Sequence, residues 1–201
     1  YKYGEEISYD FDLLKVEDGD SLQLFTCGNE RLDKHIRNEV IKNGVVMNED
    51  GLYFKFIDSN TKKIIAVVSL ASSGIIYKVS NYTHVLPAIK IDVLAVDEEY
   101  QKMHYNVESE IAVNHNDHYY FSDDIIGNVI SHCRKVSEEE ALANYIVLYA
   151  DKKAYRYYER NGFHDYSDYM VKENNQEINK NIPMYMLSLI HISEPTRPEP
   201  I

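Results

Sequence analysis

The chain has 201 residues and a formal net charge of −12, long enough for one domain with a full core and too acidic for non-specific binding to nucleic-acid phosphates. Its 44% hydrophobic and 27% charged residues fit a globular domain rather than a disordered chain. No run approaches the roughly 20 apolar residues of a membrane helix and none reads as a secretory signal, so a cytoplasmic location is expected. Cys27 and Cys133 lie far apart in sequence and are expected to be reduced and buried.

The predicted elements follow in chain order. Tyr9 to Val16 alternates apolar and polar residues and predicts a first strand. Asn29 predicts a helix N-cap, with Leu32, Ile36 and Val40 on one face and Asn43-Gly44 as the stop. Leu52 to Ile57 and Lys63 to Leu70 read as strands joined by the turn-rich Asp58-Ser-Asn-Thr61, and Ala88 to Val96 as the next strand. His104 to Tyr120 has no steady period and reads as an insertion. Ser122 is the expected cap of a helix whose stripe is Ile125, Ile126, Val129, Ile130, Cys133 and Val136. Tyr145 to Ala150 is an apolar run of the kind a buried parallel strand requires. Lys153 to Arg160 predicts a helix halted by Asn161-Gly162, and Phe163 to Val171 and Ile182 to Met186 predict the last strands. Glu138-Glu-Glu140 reads as a solvated face.

Both ends are unusual. The chain begins at Tyr1 rather than Met, and Leu187-Ser-Leu-Ile-His-Ile-Ser-Glu-Pro-Thr-Arg197 resembles the translation of a sequencing-library adapter. The expected domain is therefore 1–186, with 187–201 set aside as a tail.

Two segments carry a family resemblance. One is Ile89-Lys-Ile-Asp-Val-Leu-Ala-Val-Asp-Glu-Glu-Tyr-Gln101. The other is Asp151-Lys-Lys-Ala-Tyr-Arg-Tyr-Tyr-Glu-Arg-Asn-Gly-Phe163. In that element order, over roughly Asp10 to Met186, they resemble the two halves of the acyl-CoA site of the GNAT acyltransferase superfamily. Phe25-Thr-Cys-Gly28 followed by Leu32-Asp33 resembles the bacterial branch that includes toxin-like acetyltransferases. The resemblance implies an α/β (α+β) fold: a GNAT-like mixed central sheet, flanking helices and a splay between two parallel strands. It implies acetyl-CoA as cosubstrate, paired as an added strand with the backbone of Leu94, Ala95 and Val96. It further implies Gln101, Lys102, Met103 and His104 as the pyrophosphate loop, Asp151 as a polar contact to the pantetheine, and Tyr158 as the general acid that protonates the leaving thiolate. Asp92 is the candidate base for the acceptor amine, with Glu98 and Glu99 as alternatives. Tyr157 is expected in the core.

The loop departs from the family pattern. His104 and Asn106 stand where glycines would let the backbone approach a diphosphate, the next helix starts some sixteen residues later, and Asp123 and Asp124 in its first turn would repel phosphate. The insertion, about 104–121, either bulges outward and leaves Gln101 to Tyr105 near the phosphates, or cofactor binding is weakened. His115 and His118 have metal-like spacing but no cysteine partners, and no metal is expected.

Two function classes follow. The first is an N-acyltransferase moving an acetyl group from acetyl-CoA to a primary amine by direct attack, with no covalent enzyme intermediate. Its acidic surface suits a cationic acceptor. The toxin-like branch implies aminoacyl-tRNA instead, for which Lys34, Arg37 and Lys42 are the only modest basic cluster. The second class is a catalytically degenerate domain acting as a binding or regulatory module. A homodimer or an antitoxin partner is possible under either. No membrane partner is expected.

Overall fold

The computed structural model describes residues 7–49, 51–104, 120–141, 143–167 and 180–188. β1 (Tyr9–Leu13) is shorter than its alternation suggests, because Val16–Asp18 coils into a 3₁₀ turn. That turn leads into α1 (Gly19–Leu24), a helix the sequence reading lacks: six residues are too few to display a period. α2 (Glu30–Asn38) starts as expected, with the Asn29 side chain accepting from the Leu32 N–H at 3.3 Å. It ends at Asn38, before the expected stop. Asn43 (φ 52°) and Gly44 (φ 73°) instead turn the small hairpin of β2 (Ile41–Lys42) and β3 (Val45–Val46). Asn-Gly favours such a two-residue turn as strongly as a helix stop.

β4 (Leu52–Asp58), β5 (Ile64–Val79) and β6 (Tyr82–Val96) form an antiparallel meander. β5 and β6 run far past the expected Leu70 and Ala88, as a two-stranded arm that closes at Val79 and Tyr82. Val96 leads into the one-turn helix α3 (Glu98–Gln101). Residues 105–119, most of the expected insertion, lie outside the described residues. α4 (Phe121–Val136) is capped by Tyr120 rather than Ser122, which is buried in its first turn. The expected stripe is correct: Ile125, Ile126, Val129 and Cys133 are fully buried, and each such aliphatic side chain contributes about 1.5–3 kcal/mol. β7 (Tyr145–Ala150), α5 (Tyr155–Arg160), β8 (His164–Asp165) and β9 (Ile182–Leu187) complete the chain. Gly162 ends α5 at φ 88°. Residues 168–171 of the predicted Phe163–Val171 strand are not described. At the C-terminal side the ladder includes Leu187, paired with Tyr145, and the Ser188 N–H donates to Asn144 O at 3.0 Å.

The seven-stranded sheet has the order β1-β4-β5-β6-β7-β9-β8, and among the described residues β6–β7 is its only parallel pair. α4 covers one face over Phe54, Phe56, Ile89 and Ile91. α1, α2 and the residues that follow each cover the other through Leu22, Phe25, Ile36 and Val40 against Tyr53, Val67, Val93 and Ala95. β6 can serve both cores because it carries a bulge. Ser69 pairs with Val93 and Leu70 with Ile91, so Asp92 has no partner on β5. One extra residue reverses the alternation: Ile91 faces α4, whereas Val93 faces α1 and α2. Among the described residues no helix is long and apolar enough to cross a membrane.

Candidate acyl-CoA site

The bulge sits where the parallel ladder fails. β6 and β7 pair from Ala88–Tyr145 to Ile91–Leu148 and no further. Beyond that point β6 stays with β5 as far as Val96, and β7 stays with β9 as far as Ala150. The two strands therefore diverge with a gap between their carboxyl ends. Peptide orientation along β6 follows from one bond: the Asp97 N–H donates to Ile65 O on β5 at 2.8 Å. Alternation then turns the Ala95 backbone toward β5 and aims the Leu94 N–H and C=O and the Val96 N–H into the gap. Of the three expected contacts, Leu94 and Val96 turn backbone into the gap, and Ala95 turns its own toward β5. Unpaired strand groups of this kind can take an extended, amide-bearing chain as an additional strand.

The loop after β6 is tied down by its own side chains. The Gln101 amide donates to Val96 O and to Cys27 O, both at 2.8 Å. Gln101 is thus a staple between the end of β6 and the start of α2, and its side chain is not free for a ligand. Gly28 lies beside this staple at φ 76°, where a Cβ would sit 2.4 Å from a Glu98 carboxylate oxygen. The positive φ favours glycine here, and the Glu98 side chain would have to move aside for a Cβ. Met103 is buried in the core, and its carbonyl accepts the Phe121 N–H at 2.8 Å. His104 bridges to Tyr120, their rings 4.7 Å apart. The chain therefore leaves at His104 and returns beside it at Tyr120. In space α4 begins directly after Met103, despite residues 104–120 between them. Lys102 is exposed and has no ionic partner among the described residues.

One of the two carboxylates in the first turn of α4, Asp123, is neutralised by an ion pair. Asp123 is 5% exposed and accepts from Arg160 Nε (3.0 Å) and Nη2 (2.8 Å), from Asn161 (2.8 Å) and from the Tyr120 N–H (3.0 Å). Asp124 is bonded to the Tyr9 hydroxyl. The repulsion expected between these carboxylates and a phosphate is correspondingly reduced. Arg160 also stacks over the Tyr120 and Tyr157 rings at 5.0 and 5.2 Å. The Asp123–Arg160–Asn161 cluster that locks α5 to α4 was not among the predicted residues. Its only trace in the sequence is an acid in one helix and a base in another, which do not name each other without the fold.

α5 places the two tyrosines differently. The Tyr157 hydroxyl donates to Ser122 O at 2.6 Å, a structural bond. Tyr158 packs edge-on against Phe163, with centroids 5.9 Å apart, and its hydroxyl has no hydrogen-bond partner among the described residues. Part of the side chain remains open to solvent, yet burial pushes the phenol up to about 12. The group is therefore a proton donor at every physiological pH. Asp151 is exposed and spends one carboxylate oxygen on the Lys153 N–H at 2.8 Å, which starts the turn into α5.

The remaining candidates separate clearly. Asp92, at the bulge, is exposed and ion-paired with Lys90 at 2.7 Å. Alternation puts Lys90 on the face opposite Ile89 and Ile91, toward α1 and α2. Glu99 is bonded to Lys63 at 2.7 Å. Burial, reinforced by the Asp33 carboxylate, pushes the Cys27 thiol up to about 12, and burial alone does the same for Cys133, so neither is a nucleophile. The basic cluster of α2 and β2 is largely spent: Lys34 pairs with Glu30, Lys42 with Glu39, and Arg37 donates twice to Phe25 O. His115 and His118 lie outside the described residues.

No family model and no curated protein matches the sequence. Solved structures do match. A bacterial toxin superposes with TM-score 0.65 at 18% identity, over 90% of this chain and 92% of that one. AtaTR bound with AcCoA gives TM-score 0.59 at 14% identity, over 90% and 93%. AtaT complexed with acetyl-methionyl-tRNAfMet gives 0.60 at 14%, over 90% and 95%. The GNAT-like α/β fold is thus established for almost the whole chain.

Proposed function

We propose that this chain is a GNAT-type N-acetyltransferase that moves an acetyl group from acetyl-CoA to a primary amine. The observation that carries this reading is the gap between β6 and β7, with the Leu94 and Val96 backbone turned into it and an unpartnered phenol, Tyr158, on α5 nearby in the fold. The pantetheine amides pair with β6. The diphosphate lies at the start of α4, near Gln101 to His104, where the helix dipole favours an anion and the exposed Lys102 supplies a cation. The thioester then sits in the gap, open to an amine from the α1 and α2 face.

The amine nitrogen attacks the thioester carbonyl, and the C–S bond breaks as the C–N bond forms. The nitrogen gives its proton to water held by Asp92. The sulfur takes the Tyr158 proton, and solvent restores that proton afterwards. Neither thiol takes part.

For the acceptor, aminoacyl-tRNA is supported by the fold neighbour AtaT in complex with acetyl-methionyl-tRNAfMet, and an antitoxin partner by another neighbour, AtaT bound to the C-terminus of the antitoxin AtaR. The test is release of free CoA thiol from acetyl-CoA, with a panel of polyamines, aminoglycosides, lysine peptides and charged tRNAs. Acceptor-dependent release is expected from at least one class. Cofactor binding with no release from any of them would overturn the enzymatic reading and leave a binding module.

A further inference from the structure

We infer that the β5–β6 arm pairs with a second copy of this chain. The outer edge of β5, from Ser72 to Lys78, lies antiparallel against the same edge of the other copy across a two-fold axis. This stands apart from the acyl-CoA reading and does not depend on it.

The backbone decides which groups the arm leaves open. β4 accompanies β5 only as far as the pair Leu52 and Leu70, and β7 meets β6 only from Ala88 onward. Beyond those points, among the described residues, the strands of the arm pair with each other alone. The Pro87 carbonyl accepts the Asn144 N–H at 3.1 Å, so position 87 turns its backbone away from β5. Its register partner Gly74 turns away from β6 in the same way. Alternation then aims the backbone of Ser72, Ile76 and Lys78 outward on β5, and that of Thr83 and Val85 outward on β6. The two edges differ. Pro87 has no N–H and blunts the β6 edge at its base. The β5 edge from Ser72 to Lys78 holds no proline, and its donors and acceptors have no partner strand among the described residues. Such a row is a template for another strand.

The side chains fit the same use. Ile76 and Val85 are register partners on one face of the arm, 52% and 60% exposed. On the other face Tyr77 stacks on His84, with centroids 5.1 Å apart, and Tyr82 is exposed. Charge selects the occupant. The chain carries 33 acidic residues and a net charge of −12, yet no acid lies between Asp58 and Asp92. Two copies that meet through their arms therefore set no arm carboxylate against another. Lys78 stands near the tip, and antiparallel pairing puts the two tips at opposite ends of the contact. A two-fold contact asks only that the surface match itself, and an antiparallel edge does, each outward N–H meeting a C=O of the other copy. A nucleic acid fits less well, because its affinity is built from many phosphate contacts and the arm offers one lysine.

The test combines light scattering with residue-resolved hydrogen exchange on the full chain, from about 1 to about 100 μM, the range that spans micromolar pairing. The chain is expected to pass from monomer to dimer across it. The Gly74 and Ile76 amides should slow as the dimer forms, while Ile75 and Tyr77, already bonded to β6, stay protected throughout. Ile76→Pro removes an N–H that the arm's own ladder does not use, and should weaken the dimer about tenfold or more, since the axis presents the change twice. Ile76→Lys with Val85→Lys should do the same by charge, and serves if the proline disturbs the arm. A chain still monomeric at about 100 μM would overturn the inference, including one whose arm is covered only by an unrelated protein. So would a dimer that leaves Gly74 and Ile76 exchange unchanged, or one that both variants form as readily as the unaltered chain.

Discussion

Tyr158→Phe is expected to lower kcat for acetyl transfer about a hundredfold, the scale of a single general-acid contribution, and to leave the KM for acetyl-CoA within about threefold. The split follows from the environment of the hydroxyl. It has no hydrogen-bond partner among the described residues, so its removal leaves nothing unsatisfied and costs little stability. Its task arises only as the C–S bond breaks. The loss is expected to shrink with an acetyl thioester of a more acidic thiol, which needs less protonation to leave. A packing tyrosine would show no such leaving-group dependence. The pH dependence has a definite sign. The phenol is raised from about 10 to about 12, so the native state keeps its proton longer than the unfolded chain does. The stabilisation from this group is complete below pH 10 and is lost as pH rises from 10 toward 12. Against Tyr158→Phe in alkaline unfolding, that component of the loss should be missing from the variant.

Asp123→Ala is expected to be the more damaging change to the fold. One buried carboxylate accepts from Arg160, Asn161 and the Tyr120 N–H, and removing it strands three donors at the junction of α4 and α5. Breaking a buried pair costs about 3–5 kcal/mol. The Arg160 side chain is 37% exposed and can turn to water, which brings the expectation to about 2–3 kcal/mol. At about 2–4 °C per kcal/mol for a chain of this size, thermal unfolding should fall by roughly 5–10 °C. Because α5 carries Tyr158, acetyl transfer should fall as well, even below the transition. A combined Asp123→Leu and Arg160→Met variant separates the causes: stability should recover in part, since an apolar pair replaces the ions while the Tyr120 N–H and the Asn161 amide still lack their acceptor. If Asp123→Ala unfolds within about 1 °C of the parent chain, the lock between the two helices is not what holds α5.

The features legible in the sequence were those written in local pattern. The α4 stripe, the apolar run of β7 and the Asn161-Gly162 stop each follow from a period or a turn residue, and each stands as expected. The divergence of β6 from β7 was foreseen through family resemblance, not through spacing. Its cause, the unpaired Asp92, is a register fact that exists only once β5 lies beside β6. Other features were hidden because their partners are remote. Gln101 resembled a phosphate-loop residue, yet its amide bonds to Cys27 O, 74 positions away. Asp123 read as a liability for phosphate until Arg160 was found beside it. The length of β5 and β6 escaped because Gly74 to Pro87 pairs only with itself, and its turn, Ser80-Asn81, lacks the glycine that usually marks one.

The account depends on two amides. Residue-resolved hydrogen exchange, with and without saturating acetyl-CoA, tests them directly. Leu94 and Val96 should exchange quickly in the free protein and slow at least tenfold with the cofactor, while Ala95, already bonded to β5, stays protected in both. Unchanged exchange at Leu94 and Val96 under saturation would mean that acyl-CoA does not pair with β6, and the proposed site would be wrong.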